Sequence, residues 1–402
     1  MIRRRSSPAD SGPPLTGSAG QVVARLRAIG PMTRGEIGST MGLSRTTVSS
    51  TVAQLMQDGW VNERPASGNV TGPGRPATVL TLTQQAGVAV GVDLGRTHAR
   101  VALADLGHEV LAEQGLELQE NWRAAEAFDA VEALVSEVVT SAGVDRTDIV
   151  GIGLGLPAPL DTSGHATSIT IPPMWVHEDP AQALAQRLGA AVAVENDANL
   201  GALAEARWGA GRRFDTLFYV KASTGIGAGL VFGGRIFRGT AGTAGEIGHV
   251  TVDDNGLVCR CGSRGCLEVC VGGAALVAQL EHNQVEISSV ADLIAAAGAG
   301  DLACCRVLAD AGETLGVAIA TVLNIINPDR VILGGELGTA GELVLGSLRE
   351  SLGRHALTSA VRSTSIVKSQ LGQRAEALGA VLLVLTEADR FATPPGTQVR
   401  RG

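Results

Sequence analysis

The chain has 402 residues, enough for two or three domains of roughly 150 residues each, and a formal net charge of −8. With 45% hydrophobic and 18% charged residues it is neither a disordered segment nor a coiled coil. Fifty-three glycines beside 3% aromatics predict cores of Ala, Val and Leu, with many turns where backbone passes close to something.

Arg3, Arg4 and Arg5 lead into Ser6-Ser7-Pro8 rather than an apolar run, and no uncharged apolar stretch reaches the ~18 to 20 residues of a membrane span. The expectation is a cytoplasmic protein without a membrane segment. Charge is unevenly spread: residues 1–80 carry nine Arg and four acids, a balance of +5 that leaves −13 for the rest. A basic, nucleic-acid-binding end attached to an acidic body is the physical reading of that split.

After a disordered tail over residues 1–17, the pattern of residues 18–83 gives the basic end a shape. Val22, Val23, Leu26 and Ile29 stripe a short helix that Gly30-Pro31 ends. Thr33 and Glu36 form a capping box for a second helix to about Met41, and Gly42 makes the turn. Ser44 caps a third helix through Asp58, with Val48, Val52, Leu55 and Met56 turned inward. Arg45, Thr46, Thr47, Ser49 and Ser50 face out, as a recognition helix needs for DNA. Residues 60–64 and 78–82 alternate like strands and predict a wing hairpin. Its tip, Gly72-Pro-Gly-Arg75-Pro, offers Arg75 to a narrow minor groove.

Beyond residue 85 the pattern becomes strand, glycine turn, strand. Val88–Gly95 leads into Ala99–Asp105, Leu217–Ala222 leads through Ser223–Gly229 into Leu230–Phe232, and Val331–Gly335 ends a third apolar strand. The first two look like one unit used twice, which predicts a duplicated two-lobed body whose turn amides face phosphate. Between them, Glu195-Asn196-Asp197-Ala198-Asn199 places Asp197 at a strand-to-helix junction, where a carboxylate can take a hydroxyl proton or simply cap a helix. His249 with Cys259, Cys261 and Cys266 supplies one imidazole and three thiolates, a closed tetrahedral set that predicts a structural zinc ion. Cys270, Cys304 and Cys305 lack that context and are expected in cores.

Together the Glu-Asn-Asp-Ala-Asn stretch, Thr224-Gly-Ile-Gly-Ala-Gly229, Gly245-Glu-Ile-Gly-His249 and the Cys-x-Cys-Gly-x-x-Gly-Cys-Leu-Glu run resemble the ROK family of repressors, open reading frames and kinases, over about residues 18–390. The resemblance implies an actin-like, hexokinase-like (ribonuclease H-like) α/β fold, with a first lobe over 86–200, a second, zinc-bearing lobe over 201–390 and a tail over 391–402. It implies that Asn196, Asp197, Glu246, His249 and Glu268 hold sugar hydroxyls, with Asp197 at the catalytic base of the kinases. It also implies that Asp93, Gly95, Thr97, Thr224, Gly225, Gly334 and Gly335 mark a vestigial nucleotide site.

Departures from the kinase pattern favour a regulator. Kinase members read Asp-x-Gly-Gly-Thr-Lys where this chain has Asp93-Leu-Gly-Arg96-Thr-His98, and their third late glycine is replaced by Glu336. Ile171–Met174 lacks an Asn often found there, which implies an unusual sugar preference. The expected protein is a dimeric or tetrameric repressor of sugar metabolism, binding operator DNA and a sugar effector and joined to its winged helix only through residues 83–88. An ATP-dependent, glucokinase-like sugar kinase is the alternative.

Overall fold

The structure is a computed structural model that describes residues 17–65, 78–118, 122–165, 179–280 and 286–391. Its N-terminal part opens with α1 (Gly17–Ile29), followed by α2 (Arg34–Met41) and α3 (Arg45–Gln57). Local chemistry fixes these ends. The Thr33 hydroxyl accepts from the Glu36 N–H while Glu36 accepts from the Thr33 N–H, and Gly42 closes α2 at φ 64°. The Ser44 hydroxyl accepts from the Thr47 N–H and starts α3. Strands β1 (Val61–Pro65) and β2 (Thr78–Leu82) pair antiparallel as the wing. Thr51, not Met56, completes the inward stripe of α3; Met56 is exposed. Arg45, Thr46, Ser49 and Ser50 are exposed and Thr47 is half-buried. Arg75 and the Ile171–Met174 segment lie outside the described residues.

The body contains two five-stranded sheets of identical topology. In the first, β3 (Val88–Leu94), β4 (His98–Asp105) and β5 (Val110–Glu117) run antiparallel. After α4 (Ala124–Ala142), β6 (Ile149–Leu156) adds parallel to β3. After α5 (Pro180–Leu188), β7 (Val192–Asn196) adds parallel to β6. Helix α6 (Asp197–Arg207) leaves this sheet directly. The second sheet repeats the plan: β8 (Thr216–Ala222), β9 (Ile226–Phe232) and β10 (Arg235–Ile236) are antiparallel. Helices α7 (Leu267–Val271), α8 (Gly273–Ala278), α9 (Val290–Gly298) and α10 (Leu302–Ile326) then precede β11 (Arg330–Gly334). After α11 (Gly335–Thr339), α12 (Glu342–His355) and α13 (Thr358–Ser363), β12 (Ser365–Lys368) completes the sheet, and α14 (Ala375–Thr386) closes the body. The duplication expected from the two hairpins is therefore a duplication of whole sheets.

Two features depart from the sequence reading. The second glycine turn is only Ser223–Gly225; Gly227 and Gly229 already belong to β9, where a side chain at 229 would collide with Ala198 and Ala202 of α6. The winged helix is also more than tethered. Val22 and Leu26 of α1 share one core with Leu80, Leu82, Leu378, Leu382 and Leu385, so α14 packs under both the winged helix and the first sheet. Truncating a Leu in such a core costs about 2–5 kcal/mol. The 200/201 division falls inside α6, and α14 lies against β3 and β6 of the first lobe. Gly153 and Gly379 permit this, since a Cβ at either would meet backbone carbonyl oxygens of Ala380 and Leu200 at 2.1 and 2.0 Å.

Among the described residues, α10 alone is long and apolar enough by length and composition to cross a membrane, and its buried face packs into the second lobe's core. Cys304 is fully buried there, while Cys270 and Cys305 pack at its edge, as expected.

Candidate functional site

A single cleft gathers the residues that follow the C-terminal ends of β3, β6, β7, β8 and β11, the position where open α/β sheets bind ligands. Asn196, Asp197, Glu246, His249 and Glu268 all line it. Asn196 is the cap of α6: its Oδ1 accepts from the Asn199 N–H, and its Nδ2 donates to the Ala158 carbonyl at 3.1 Å. This frees Asp197 from the capping role and aims it into the cleft from the first turn of α6. Its Oδ1 accepts from the Ala198 N–H, and its Oδ2 accepts from the Lys221 ammonium at 2.8 Å.

Glu246 and His249 flank a short 3-10 turn, with His249 Nε2 4.0 Å from a Glu246 oxygen. Burial, together with the nearby Asp197 and Glu268 carboxylates, raises Glu246 to about 7. Glu268, in the first turn of α7, accepts from the Ile226 N–H at 3.3 Å and pairs with Arg260 at 3.1 Å. Three carboxylates and an amide thus converge on one space, a donor-seeking arrangement suited to vicinal hydroxyls.

Beside them, one ligand atom from each of His249, Cys259, Cys261 and Cys266 lies within 4.8 Å of every other. The Cys261–Cys266 sulfurs are 3.6 Å apart, as are Cys259 Sγ and His249 Nδ1. Zinc–sulfur bonds of about 2.3 Å give tetrahedral sulfur edges of about 3.8 Å, so this donor set fits zinc. The loop is shaped for it: Gly265 has φ 60°, and a Cβ there would strike the Asp253 carbonyl oxygen. Because Nδ1 faces the sulfurs, Nε2 is left to face the cleft.

The side expected from sequence to face phosphate is arranged differently. Gly95, Thr97, Thr224, Gly225 and Gly335 line the cleft, whereas Asp93 is buried beneath it and Gly334 packs on the Tyr219 ring. The Gly95 N–H donates to the His98 carbonyl, closing a tight turn, and the His98 ring donates to Asp93 Oδ2 at 2.9 Å. Burial would raise Asp93, but Lys221 and the His98 hydrogen bond outweigh it and hold the carboxyl below its usual range. Arg96 is exposed with its carbonyl bonded by Trp122, and Glu336 enters at the start of α11, its N–H donating to the Ser223 hydroxyl.

Several cleft residues were not singled out from sequence. Lys221 left a signal, being one of two lysines and the lone charge in an apolar strand. Glu376, which accepts from the Tyr219 hydroxyl at 3.1 Å, left a similar one as the lone charge of the apolar α14.

The model of the ROK family matches residues 89–387. The chain belongs to the ROK family. The MarR family model matches residues 15–69, over the winged helix. This ROK chain is 31% identical to the xylose repressor of Bacillus subtilis, over 88% of the chain and 91% of that protein. It is 30% identical to the DNA-binding transcriptional dual regulator NagC of Escherichia coli, over 88% and 89%. Among solved structures it resembles a ROK family transcriptional regulator described as a homologue of the E. coli MLC protein. That match has TM-score 0.71 and 26% identity, covering 92% of this chain and 95% of the other. A ROK glucokinase from Streptomyces griseus, solved with glucose and AMPPNP, matches at TM-score 0.64 and 30% identity over 74% and 99%. The kinase match covers the share of the chain that a ROK body alone would fill; the regulator match extends over nearly the whole chain.

Proposed function

We propose that this ROK protein is a DNA-binding transcriptional repressor whose cleft takes a small sugar, and that sugar weakens its hold on operator DNA. As a DNA-binding regulator it acts in the cytoplasm, as a dimer or tetramer whose winged helices read two half-sites of a palindromic operator. Arg45, Thr46, Thr47, Ser49, Ser50 and Arg75 contact the DNA. Asn196, Asp197, Glu246, His249 and Glu268 take sugar hydroxyls, while His249, Cys259, Cys261 and Cys266 hold a zinc ion that fixes the shape of the pocket wall.

The observation that carries this reading is α6. Its first residue, Asp197, stands in the cleft, and its last, Arg207, donates to the Ile29 carbonyl at the end of α1. Gly30 makes that approach feasible, since a Cβ there would overlap the guanidinium. His108, at the β4–β5 turn, donates from Nε2 to the Arg27 carbonyl at 2.6 Å and accepts at Nδ1 from Arg207. One helix therefore joins the sugar side to the carbonyl end of the first DNA-domain helix. A displacement of its first turn is felt at its last.

The phosphate side argues against kinase activity. His98 stands where the kinases have Lys and closes onto Asp93, Arg96 replaces the second glycine, and Glu336 brings an acid towards the place of a nucleotide.

The test is a mobility-shift titration on DNA upstream of the protein's own gene, with xylose, N-acetylglucosamine and glucose. One of these or a related sugar is expected to release the DNA, and the DNA must then weaken sugar binding by the same factor. Arg207→Ala should leave both ligands bound but shrink the coupling between them. Failure to bind any upstream DNA, or ADP formation at the ~1–10³ s⁻¹ of working enzymes, overturns the reading.

A further inference from the structure

At the floor of the cleft, Lys221 of β8 is surrounded by acids from three other elements. Its ammonium lies 2.8 Å from Asp197 on α6 and 3.7 Å from Glu376 on α14, and Asp93 at the end of β3 adds its field. All four residues are buried. His98 occupies Asp93 Oδ2, and the buried Asp93 Oδ1 has no hydrogen-bond partner among the described residues. Burial alone would lower the ammonium, but Asp197, then Glu376 and Asp93, more than offset that and hold it charged.

Carboxylates that converge at the floor of a two-lobed cleft need a cation, and in phosphoryl transfer a divalent metal carrying the nucleotide supplies it. Three buried acids without one would repel each other in a medium that screens poorly. We propose that Lys221 is a positioning residue that serves as the built-in counter-cation of the cleft, replacing the metal and its nucleotide. Its ammonium clamps Asp197 Oδ2 in place, with the Ala198 N–H fixing Oδ1, so that the carboxylate stands ready for a sugar hydroxyl in the absence of magnesium or ATP. The sensor is thereby uncoupled from nucleotide levels. This inference rests on the sugar-sensing reading of the same cleft, but its test uses no sugar.

The probe is magnesium, which prefers oxygen ligands and leaves the thiolate cluster alone. Full-length, zinc-loaded wild type, Lys221→Met, Lys221→Arg and the double variant Lys221→Met/Glu376→Gln are melted with and without about 10 mM MgCl₂. Wild type and Lys221→Arg are expected to be indifferent to magnesium. Lys221→Met, with its acids uncovered, should melt lower and recover by about 3 °C or more when magnesium enters their midst. The double variant should be more stable than Lys221→Met, because one acid has been neutralised.

A Lys221→Met protein that gains no more from magnesium than wild type overturns the proposal. So does a wild type with a magnesium shift of the same size. If Lys221→Met does not fold, the double variant decides: recovered folding supports the counter-cation role, and a double variant equally unable to fold overturns it. Loss of packing alone would respond to neither magnesium nor Glu376→Gln.

Discussion

On one side of the cleft, Asp197, Glu246 and Glu268 present carboxylate oxygens around a space lined by a buried turn and a metal-ligand loop. On the other, the matching strand–turn–strand unit ends in Asp93, which is buried and bonded by His98, while Arg96 and Glu336 occupy the rim. Each side draws on both sheets, Asp197 following β7 and Asp93 lying near the end of β3 in the first, Glu246 and Glu336 following β9 and β11 in the second, so the difference lies in a few side chains near strand ends. Under the proposed function, one half keeps its hydroxyl acceptors open while the other is closed by its own side chains. A scaffold can lose a reaction without losing recognition, because hydroxyl acceptors and phosphate-facing turns sit on separate elements.

Removing the support of the open side should give the largest effect. Cys261→Ser is expected to lose the metal and expose residues 245–270 to protease, since structural-site binding energy of about 10–16 kcal/mol is folding energy. Elemental analysis with limited proteolysis checks this, and a freshly purified wild type free of zinc would refute it.

Next comes the path out of the cleft. Burial, helped by Arg207 and opposed by the Arg27 carbonyl, lowers His108 to about 4. An unfolded histidine binds its proton below about 6.5, so folded-state stability is full above that pH and is lost as pH falls towards 4. The loss amounts to about 3 kcal/mol, and His108→Asn, which suits its φ of 70°, should flatten that part of the stability–pH curve. Denaturant melts at several pH values measure it; an unchanged slope would place His108 outside the junction's energetics.

A smaller change is expected within the open side itself. Glu246→Ala should keep operator binding and lose about 1–3 kcal/mol of sugar affinity. Calorimetry with the effector measures it, and a variant that senses sugar normally would remove this wall from the mechanism. For the filled side the expected change is nil. Arg96→Gly alone should yield no ATP-dependent phosphorylation of any hexose, because His98 and Glu336 remain; measurable turnover would erase the contrast between the two sides.

What could be read from sequence followed from how local each signal is. Thr33 with Glu36, Ser44 and the Cys259–Cys266 spacing act over a few residues, and the structure forms each as expected. The repeated hairpins announced the paired sheets. Lys221 was visible as an anomaly in an apolar strand, but its meaning depends on Glu376, 155 positions later, and no local signal pairs the two. His108 gave no sign because its partners are the Arg27 backbone carbonyl, which the docked winged helix brings near, and the guanidinium of Arg207, 99 positions away on α6. The packing of α14 against β3 and β6 of the first sheet was hidden for the same reason: a helix apolar but for Glu376 and Thr386 does not state which sheet it will cover.

That helix also sets an order of events during synthesis. Arg27 donates to the carbonyl of Val384, a bond across 357 positions, and the leucines of α14 complete the floor beneath α1. At about 5–20 residues per second the ribosome delivers that floor roughly 20 to 70 s after α1 has emerged. Until then the DNA-binding end has an uncovered apolar underside. A chain cut short before residue 375 would carry α3 yet lack the leucines that close the core beneath α1, leaving that apolar face open to aggregation.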